Sequence, residues 1–200
     1  MIDSGNNNNN NNFKLPKDPN NLNKFQHFFY DYGRYHYNKL NIFIHIIFVP
    51  IISCTLFGMT RYVSKVYLNT DFNIGTIIPI LLTPLYLYVD FFLGLFTSIQ
   101  YLLLDHYMQY ISFGFNSVSD IQVIILIHLL AWIFQFIGHG AFEGRKPALM
   151  DNLLLTLNAP IFVNIEIFYF LFGYKKNEIL ETKGYIEYDI YTFKNKIKKQ

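Results

Sequence analysis

The chain has 200 residues, of which 52% are hydrophobic, 19% aromatic and only 15% charged. Soluble domains usually carry about 25% charged residues, so the composition favours a single-domain membrane protein. The formal net charge of +2 is too small to indicate nucleic-acid binding. Cys54 is the only cysteine, which excludes an internal disulfide and a cysteine-based zinc site.

The N-terminal region begins with a low-complexity segment. Asn6 to Asn12 are seven consecutive asparagines, which cannot bury apolar surface, so residues 1–17 are predicted to be a disordered leader. The membrane domain is predicted over residues 18–174. Its first helix is expected to lie in the membrane interface, because one aromatic stripe recurs at helical spacing: Phe25, Phe28, Phe29, Tyr32 and His36.

Several apolar runs approach the ~20 residues that a transmembrane helix needs. Four of them are predicted to cross the bilayer: Ile42–Met59, Ile74–Val89, Phe91–Leu104 and Ile121–Ile137. The second and third are separated only by Asp90 and form either a tight hairpin or one kinked passage. A fifth run, Leu153–Phe172, contains polar residues and is predicted to be re-entrant or to face the protein interior. The expected fold is all-α, a polytopic membrane bundle of about four to five apolar helices.

The distribution of basic residues predicts the topology. If the first four runs cross and the fifth does not, both termini share one side with the segment that follows Ile137. All Lys and Arg residues except Arg61 and Lys65 then lie on that side, which satisfies the positive-inside rule and places both termini in the cytosol. The predicted charged tail, 175–200, has lysines third and fifth from its end, as in a dilysine retrieval signal of endoplasmic-reticulum membrane proteins.

Two clusters of polar and ionisable residues lie at the borders of apolar runs. One contains His36, Asn41 and His45, and the other contains His139 and Glu143, four residues apart. Ionisable groups at membrane depth are costly and tend to be functional, so the two clusters suggest a metal site. Nine residues would place His36 and His45 on opposite faces of one helix. A shared metal therefore requires a helix break between them, with Asn38 or Asn41 as the N-cap of the second piece.

Other interpretations of these residues stay open. Glu143 could pair with Arg145 while His139 only caps a helix end, and His36 and His45 could be unrelated. Imidazole plus carboxylate with open positions suits non-haem Fe(II), although zinc accepts the same ligands. His106, next to an acidic residue, is a candidate fourth ligand, but the topology places it on the opposite side. His128 is expected to pack between helices.

The motifs as a whole point to a known family. The first is Tyr35-His36, Asn41, His45 and Pro50; the others are Asp105-His106, the run from Trp132 to Gly140, Phe142-Glu143, Arg145, Pro147 to Leu149 and Asp151 to Leu153. Over about Phe25 to Phe172 the chain resembles the endoplasmic-reticulum 2-hydroxy fatty acid dioxygenase family. The resemblance implies an Fe(II)-dependent α-oxidation, in which O₂ shortens a long-chain 2-hydroxy fatty acid by one carbon during phytosphingosine breakdown.

The resemblance also implies which residues bind the metal. The ligands would be drawn from His36, His45, His106 and His139. Glu143 is a further catalytic candidate from its spacing, and Arg145 is the candidate that helps to neutralise the substrate carboxylate. The competing classes are a non-enzymatic membrane protein that binds lipids or acts as a scaffold, and a zinc-dependent membrane lipid hydrolase.

Overall fold

A computed structural model describes residues 22–111, 118–144, 146 and 153–197, which form helices and no strand. The predicted all-α class is confirmed for this part of the chain. A 3-10 turn, Ile74–Thr76, precedes α3, and a π-helical segment, Gly138–Glu143, continues α5. The α-helices are α1 (Lys24–Gly33), α2 (Lys39–Val66), α3 (Ile77–Val89), α4 (Phe91–Ile111), α5 (Val118–Ile137), α6 (Leu153–Leu157), α7 (Ala159–Phe172) and α8 (Lys176–Ile197).

The helix break that a metal shared by His36 and His45 would require is present. Helix α1 ends at Gly33, and α2 begins after Asn38, whose side chain accepts a hydrogen bond from the backbone N–H of Leu40 at 2.9 Å. This is an N-cap, which satisfies one of the amide donors that a helix start leaves free. His36 therefore lies in the short turn between the two helices.

The aromatic stripe of α1 packs into the protein core. Phe25, Phe29 and Tyr32 are at most 3% exposed and belong to one hydrophobic cluster with residues of α3, α4, α7 and α8. The sequence predicted that this stripe would face the membrane interface. A periodic apolar face does not distinguish a lipid surface from a protein surface, and here the protein supplies the contact.

Helices α2 and α5 form an antiparallel pair. Along the pair, Thr55 of α2 bonds His128 of α5 at 2.8 Å, and His45, nearer the start of α2, packs against His139, just after the end of α5. Lys39–Val66 and Asp120–Glu143 are long and apolar enough to cross a membrane. Only 28% and 22% of the residues in their most apolar stretches are buried, which is unlike the core helix of a soluble protein.

The predicted number of four to five spanning helices is too high for the described residues, in which only those two helices qualify. Helices α3 and α7 have 13 and 14 residues and are therefore about 20 Å long, against about 30 Å for the hydrocarbon core. Helix α4 has 21 residues, but it carries polar side chains that are buried inside the protein: Thr97, Ser98 and Asp105. The middle of the fifth run faces the interior, which was one of the two predicted alternatives, since Ile161 to Glu166 are buried. The end of this run, Phe170 to Phe172, is exposed.

Helices α3 and α4 form a hairpin whose tip is fixed by Asp90. The Asp90 carboxylate accepts hydrogen bonds from the backbone N–H of Leu93 at 2.8 Å and from the Tyr174 hydroxyl at 3.0 Å. Lys175 Nζ lies 3.0 Å from the same carboxylate. Burial raises the pKa of Asp90, but these bonds and the lysine charge outweigh it, and the net shift of the pKa is downward. The hairpin tip is thus joined to the turn between α7 and α8.

Replacing Asp90 with asparagine is expected to lower the free energy of unfolding at neutral pH by about 3 kcal/mol, because it leaves Lys175 without its buried partner. A carboxyl whose pKa is depressed in the folded state stabilises the protein above its unfolded pKa and loses this effect as the pH falls. The difference between wild type and variant should therefore shrink below about pH 4. Thermal unfolding in detergent at several pH values measures this. Asp71→Asn is the control, because the Asp71 side chain is 87% exposed, although it pairs with Arg61 and Lys65. Ion pairs of exposed carboxylates contribute little to stability, so its loss should lower Tm much less than the loss of Asp90.

The residues predicted as a charged tail form helix α8, which packs against α1. Ile179 and Ile186 are at most 2% exposed, and Arg34 of the α1–α2 turn lies 3.3 Å from the Asp189 carboxylate. Helices α1 and α8 therefore cover the end of the bundle at which α2 begins. The predicted leader, 1–17, lies outside the described residues. Of the two lysines of the dilysine pattern, Lys196 belongs to α8 and Lys198 lies outside the described residues.

Candidate metal centre

Three histidines that are far apart in the sequence meet at one end of the α2–α5 pair. His36 comes from the α1–α2 turn, His45 from the first turns of α2, and His139 from the π-helical segment. One ring nitrogen of each lies within 4.8 Å of those of the other two. All three side chains are buried, with exposures of 8%, 5% and 3%. The structure thus unites the two clusters that the sequence placed at membrane borders.

The hydrogen bonds of His36 and His45 determine where their protons lie. His36 Nδ1 is 3.0 Å from the carbonyl oxygen of Tyr32, and His45 Nδ1 is 2.9 Å from the carbonyl oxygen of Asn41. A carbonyl oxygen only accepts, so each Nδ1 carries the hydrogen and each neutral ring keeps its lone pair on Nε2. This is the arrangement found in metal-ligating histidines, whose second nitrogen is fixed by a backbone or carboxylate acceptor.

The two Nε2 atoms face each other at 3.0 Å. Two lone pairs at this distance repel unless a proton or a metal cation lies between them. Burial, with the neighbouring His45 and His139 rings, lowers the pKa of His36 well below its ordinary value, so a bound proton is disfavoured. His139 Nδ1 is also buried without a hydrogen-bond partner. The donor set therefore fits a cation held by three imidazoles.

The carboxylate of Glu143 joins the π-helical segment to the start of α2. Its Oε1 accepts hydrogen bonds from the backbone N–H groups of Tyr37 and Asn38, at 2.9 and 2.8 Å, and from Asn41 Nδ2 at 3.1 Å. A carboxylate at a helix N-terminus also interacts favourably with the helix dipole. These contacts suit a residue that positions others, and the predicted catalytic role of Glu143 stays a prediction.

The two substitutions Glu143→Gln and Glu143→Ala separate these roles. Glutamine keeps an acceptor oxygen, so Glu143→Gln should retain most of the bound metal and activity. Glu143→Ala removes the contacts that support the metal ligands and should lower metal affinity by about tenfold or more. Metal content after dialysis and substrate turnover measure both. If Glu143→Gln lost all activity while keeping its metal, Glu143 would act in the chemistry instead.

The π-helical turn allows His139 to approach α2 closely. A Cβ atom on Gly138 would overlap the Oδ1 atom of Asn41. Asn41 has little freedom to move, because its Nδ2 donates to the Tyr35 carbonyl and to Glu143. Glycine is therefore required at position 138, and π-helical turns of this kind are frequent at functional sites.

A cavity of about 120 Å³ opens next to the three histidines, between α2, α5 and the α6–α7 region. Most of its wall is apolar, so it suits a hydrocarbon chain whose polar end reaches the histidines. The wall residues include Val49, Ile52, Trp132, Phe136 and Leu155. Trp132 is oriented by His128, since its Nε1 donates to His128 Nε2 at 3.0 Å. His128 therefore packs between helices, as its mid-helix position predicted.

A second opening, a cleft of about 550 Å³, lies on the other side of His36 and is lined by α1, α8 and the start of α2. Its wall is charged, with lysines and glutamates that include Lys183 and Glu166. Burial raises the pKa of Glu166 to about 7. His36 lines both openings. The histidine cluster therefore adjoins an apolar cavity and, at His36, a cleft that contains charged as well as apolar side chains.

The structure does not bring His106 to this cluster. His106 is exposed on α4, next to Asp105, whose carboxylate accepts a hydrogen bond from Asn73 at 2.6 Å. Asn73 in turn bonds the carbonyl oxygen of Phe57, which is about 18 Å further along α2 than His45. The predicted topology had already placed this residue on the opposite side. Arg145, the other catalytic candidate, lies outside the described residues.

Gln135 is a residue that the sequence reasoning did not select. It is 5% exposed and lines the cavity beside the histidines. Gln135 precedes His139 by four residues, which places the two side chains on the same side of a helix. This spacing could have indicated that Gln135 lies near the metal centre. Glutamine has no ionisable group, so its residue type alone did not indicate a functional site.

Comparisons with known proteins identify the family of the chain. Residues 22–171 match the family model described as "2-hydroxy-palmitic acid dioxygenase Mpo1-like". A yeast relative, the 2-hydroxy-palmitic acid dioxygenase MPO1 of Saccharomyces cerevisiae, is 31% identical over 160 residues, which cover 80% of this chain and 85% of the relative. No solved structure matches the chain. The chain therefore belongs to the Mpo1-like family, which confirms the resemblance found in its motifs and the predicted enzyme class, a 2-hydroxy fatty acid dioxygenase.

Proposed function

We propose that this protein is an Fe(II)-dependent dioxygenase that converts long-chain 2-hydroxy fatty acids into acids one carbon shorter. The observation that carries the proposal is the pair of His36 and His45 Nε2 atoms, which face each other at 3.0 Å with His139 beside them. The name of the yeast relative supports the substrate class, since that protein is a 2-hydroxy-palmitic acid dioxygenase.

His36, His45 and His139 would hold the iron. When bound, Fe(II) supplies a redox-active centre with open positions for O₂ and for the hydroxyl and carboxylate oxygens of the substrate. The protein residues supply orientation and the exclusion of water. The backbone acceptors of Tyr32 and Asn41 fix the imidazoles, and the apolar cavity receives the first carbons of the acyl chain.

The reaction balances with O₂ as the only oxidant. The 2-hydroxy acid R–CH(OH)–COOH and one O₂ give R–COOH, CO₂ and H₂O, so the bond between C1 and C2 breaks and C2 becomes the new carboxyl carbon. The substrate loses four electrons and O₂ gains four. No external reductant is required, provided that C1 leaves as CO₂.

The same proposal places the protein in the endoplasmic-reticulum membrane. Many large apolar side chains of α2 and α5 are exposed, including Phe43, Ile47, Leu126, Leu129 and Ile133, and contact with lipid tails would remove them from water. The histidine cluster would lie at the cytosolic border. Membrane lipids surround the helices, and the acyl chain of the substrate enters from them.

Both termini are expected to lie in the cytosol, because the basic residues concentrate on the side of the histidine cluster. Glycosylation tags at each end of the chain in microsomes measure this directly. We expect neither tag to be glycosylated, whereas a tag inserted near Arg61 and Lys65 should be modified. Glycosylation of either terminus would contradict the proposed orientation.

The activity test uses detergent-purified protein that is stripped of metal and reloaded with Fe(II) or with Zn(II), because three imidazoles accept either ion. With Fe(II) and air, we expect 2-hydroxypalmitate to give pentadecanoate and CO₂, detected by mass spectrometry. Palmitate, which lacks the hydroxyl group, is the control and should not react. Activity that appeared only with Zn(II), on esterified lipids, would favour a lipid hydrolase instead.

A further inference from the structure

Within the residues that the structure describes, the amide of Gln135 is a buried hydrogen-bond donor without a partner. The side chain is 5% exposed, its Nε2 atom is fully buried with no hydrogen bond, and it lines the same cavity as His36, His45 and His139. Buried polar groups in folded proteins are nearly always paired, because an unpaired one keeps the full cost of losing its water. Such a donor in a cavity wall is typical of a site that a ligand completes.

Helix α2 contributes one hydroxyl group to the cavity wall, that of Ser53, and this group already has a partner. Ser53 Oγ, in the wall formed by α2, donates to the carbonyl oxygen of Val49 at 3.1 Å. Its hydrogen is therefore used within its own helix. Gln135 differs, because nothing in the described part of the chain accepts from its Nε2.

We propose that Gln135 Nε2 donates a hydrogen bond to the carboxylate of the bound 2-hydroxy acid, and thereby selects an acid over a neutral lipid of the same length. This inference rests on the proposed function, because it takes the same cavity and substrate class. A carboxylate that enters an apolar cavity needs donors to replace its water. A hydrogen bond to a charged oxygen is about twice as strong as one between neutral groups, so the carboxylate is the best-suited acceptor.

The proposed contact has a consequence for specificity. The apolar wall binds the hydrocarbon chain of any long lipid and cannot distinguish the group at its end. A site that donates to one substrate oxygen rejects an analogue that lacks this oxygen, because the buried donor is then left unpaired. Gln135 should therefore affect the binding of 2-hydroxypalmitate far more than that of 1,2-hexadecanediol. The diol keeps the hydroxyl group on C2 but replaces the carboxylate with a neutral alcohol, whose oxygen accepts a weaker hydrogen bond.

The test compares Gln135→Met, which keeps the length of the side chain and removes the donor, with Gln122→Met, an exposed position on the same helix. Binding of the acid and of the diol to the iron-loaded proteins is measured without O₂, and bound iron is measured in parallel. We expect Gln135→Met to weaken binding of the acid by about tenfold or more. Binding of the diol should weaken much less than binding of the acid, and iron content should stay at the wild-type level. Gln122→Met should change none of these values.

Several results would overturn the inference. Acid binding by Gln135→Met at the wild-type level would show that the amide does not contact the carboxylate. Equal weakening of acid and diol would show that Gln135 only shapes the cavity. If Gln135→Met did not fold, wild-type protein that bound the diol as tightly as the acid would refute the inference. Wild-type protein that failed to bind or convert the acid would instead refute the proposed function itself.

Discussion

Replacing either His45 or His139 with alanine is expected to remove the bound iron and to abolish conversion of 2-hydroxypalmitate to pentadecanoate. Each substitution deletes one of three imidazoles whose ligand atoms lie within 4.8 Å of one another. Loss of an outer contact alone typically lowers metal affinity or activity by about 10- to 100-fold, so loss of a ligand should exceed about 100-fold. Iron content and product formation of detergent-purified variants measure the effect.

Two histidine variants serve as controls for this result. His106→Ala removes an exposed imidazole on α4 and should keep the iron and the activity. His128→Ala removes a packing contact with Thr55 and Trp132 and should keep the iron and most of the activity. If His45→Ala retained wild-type turnover, or if His106→Ala lost iron as completely as His45→Ala, the proposed ligand set would be wrong.

The substitution Gly138→Ala is expected to damage the metal centre without removing a ligand. The added methyl group would overlap Asn41 Oδ1, and Asn41 supplies the backbone oxygen that holds His45 Nδ1 at 2.9 Å. Either the π-helical segment or the start of α2 must move, which displaces His139 or His45. We expect iron affinity to fall by about tenfold or more and the protein to be destabilised by about 1–3 kcal/mol.

Gly140→Ala is the matched control, because a Cβ atom at Gly140 meets no atom within 4 Å. Both variants add one methyl group to the same π-helical segment, so a general effect on helix propensity would act on both. Iron retained during dialysis against a chelator and thermal unfolding compare them. Equal iron retention in the two variants would contradict the close contact between Gly138 and Asn41.

The sequence predicted features that depend on residue spacing and on the order of the apolar helices. The spacing of His36 and His45 required a helix break, and Asn38 was a recognisable N-cap, so this turn could be predicted. The proximity of His139 to both followed from the topology, because antiparallel α2 and α5 bring the start of one helix to the end of the other. His106 could be placed on the opposite side by the same reasoning.

The features that sequence reasoning missed depend on tertiary contacts. The stripe of Phe25, Phe29 and Tyr32 has the same periodicity whether it faces lipid or protein, and only the position of α7 and α8 decides between the two. The spacing of Glu143 from His139 could not show that its carboxylate accepts from the backbone of Tyr37 and Asn38. The π-helical turn that aligns these groups has no simple sequence pattern.

The lengths of the apolar helices also required the structure. The hydropathy of Ile74–Val89 and Phe91–Leu104 predicted two short transmembrane helices. The first of these segments is divided into a 3-10 turn and a 13-residue helix. The second belongs to a longer helix whose polar residues are satisfied inside the protein: Thr97 donates to the Leu93 carbonyl, and Asp105 accepts from Asn73. Hydropathy alone does not reveal such internal partners.

Metal analysis tests most directly the claim that three histidines hold an iron ion. The wild-type protein, purified in detergent without added metal, is compared with a variant in which His36, His45 and His139 are all alanine. We expect about one iron per wild-type chain and none in the variant, because the three imidazoles are the proposed protein ligands of a single ion. Zinc in place of iron would contradict the dioxygenase assignment for this centre. Absence of any metal from the wild type, or equal iron in both proteins, would contradict the metal centre itself.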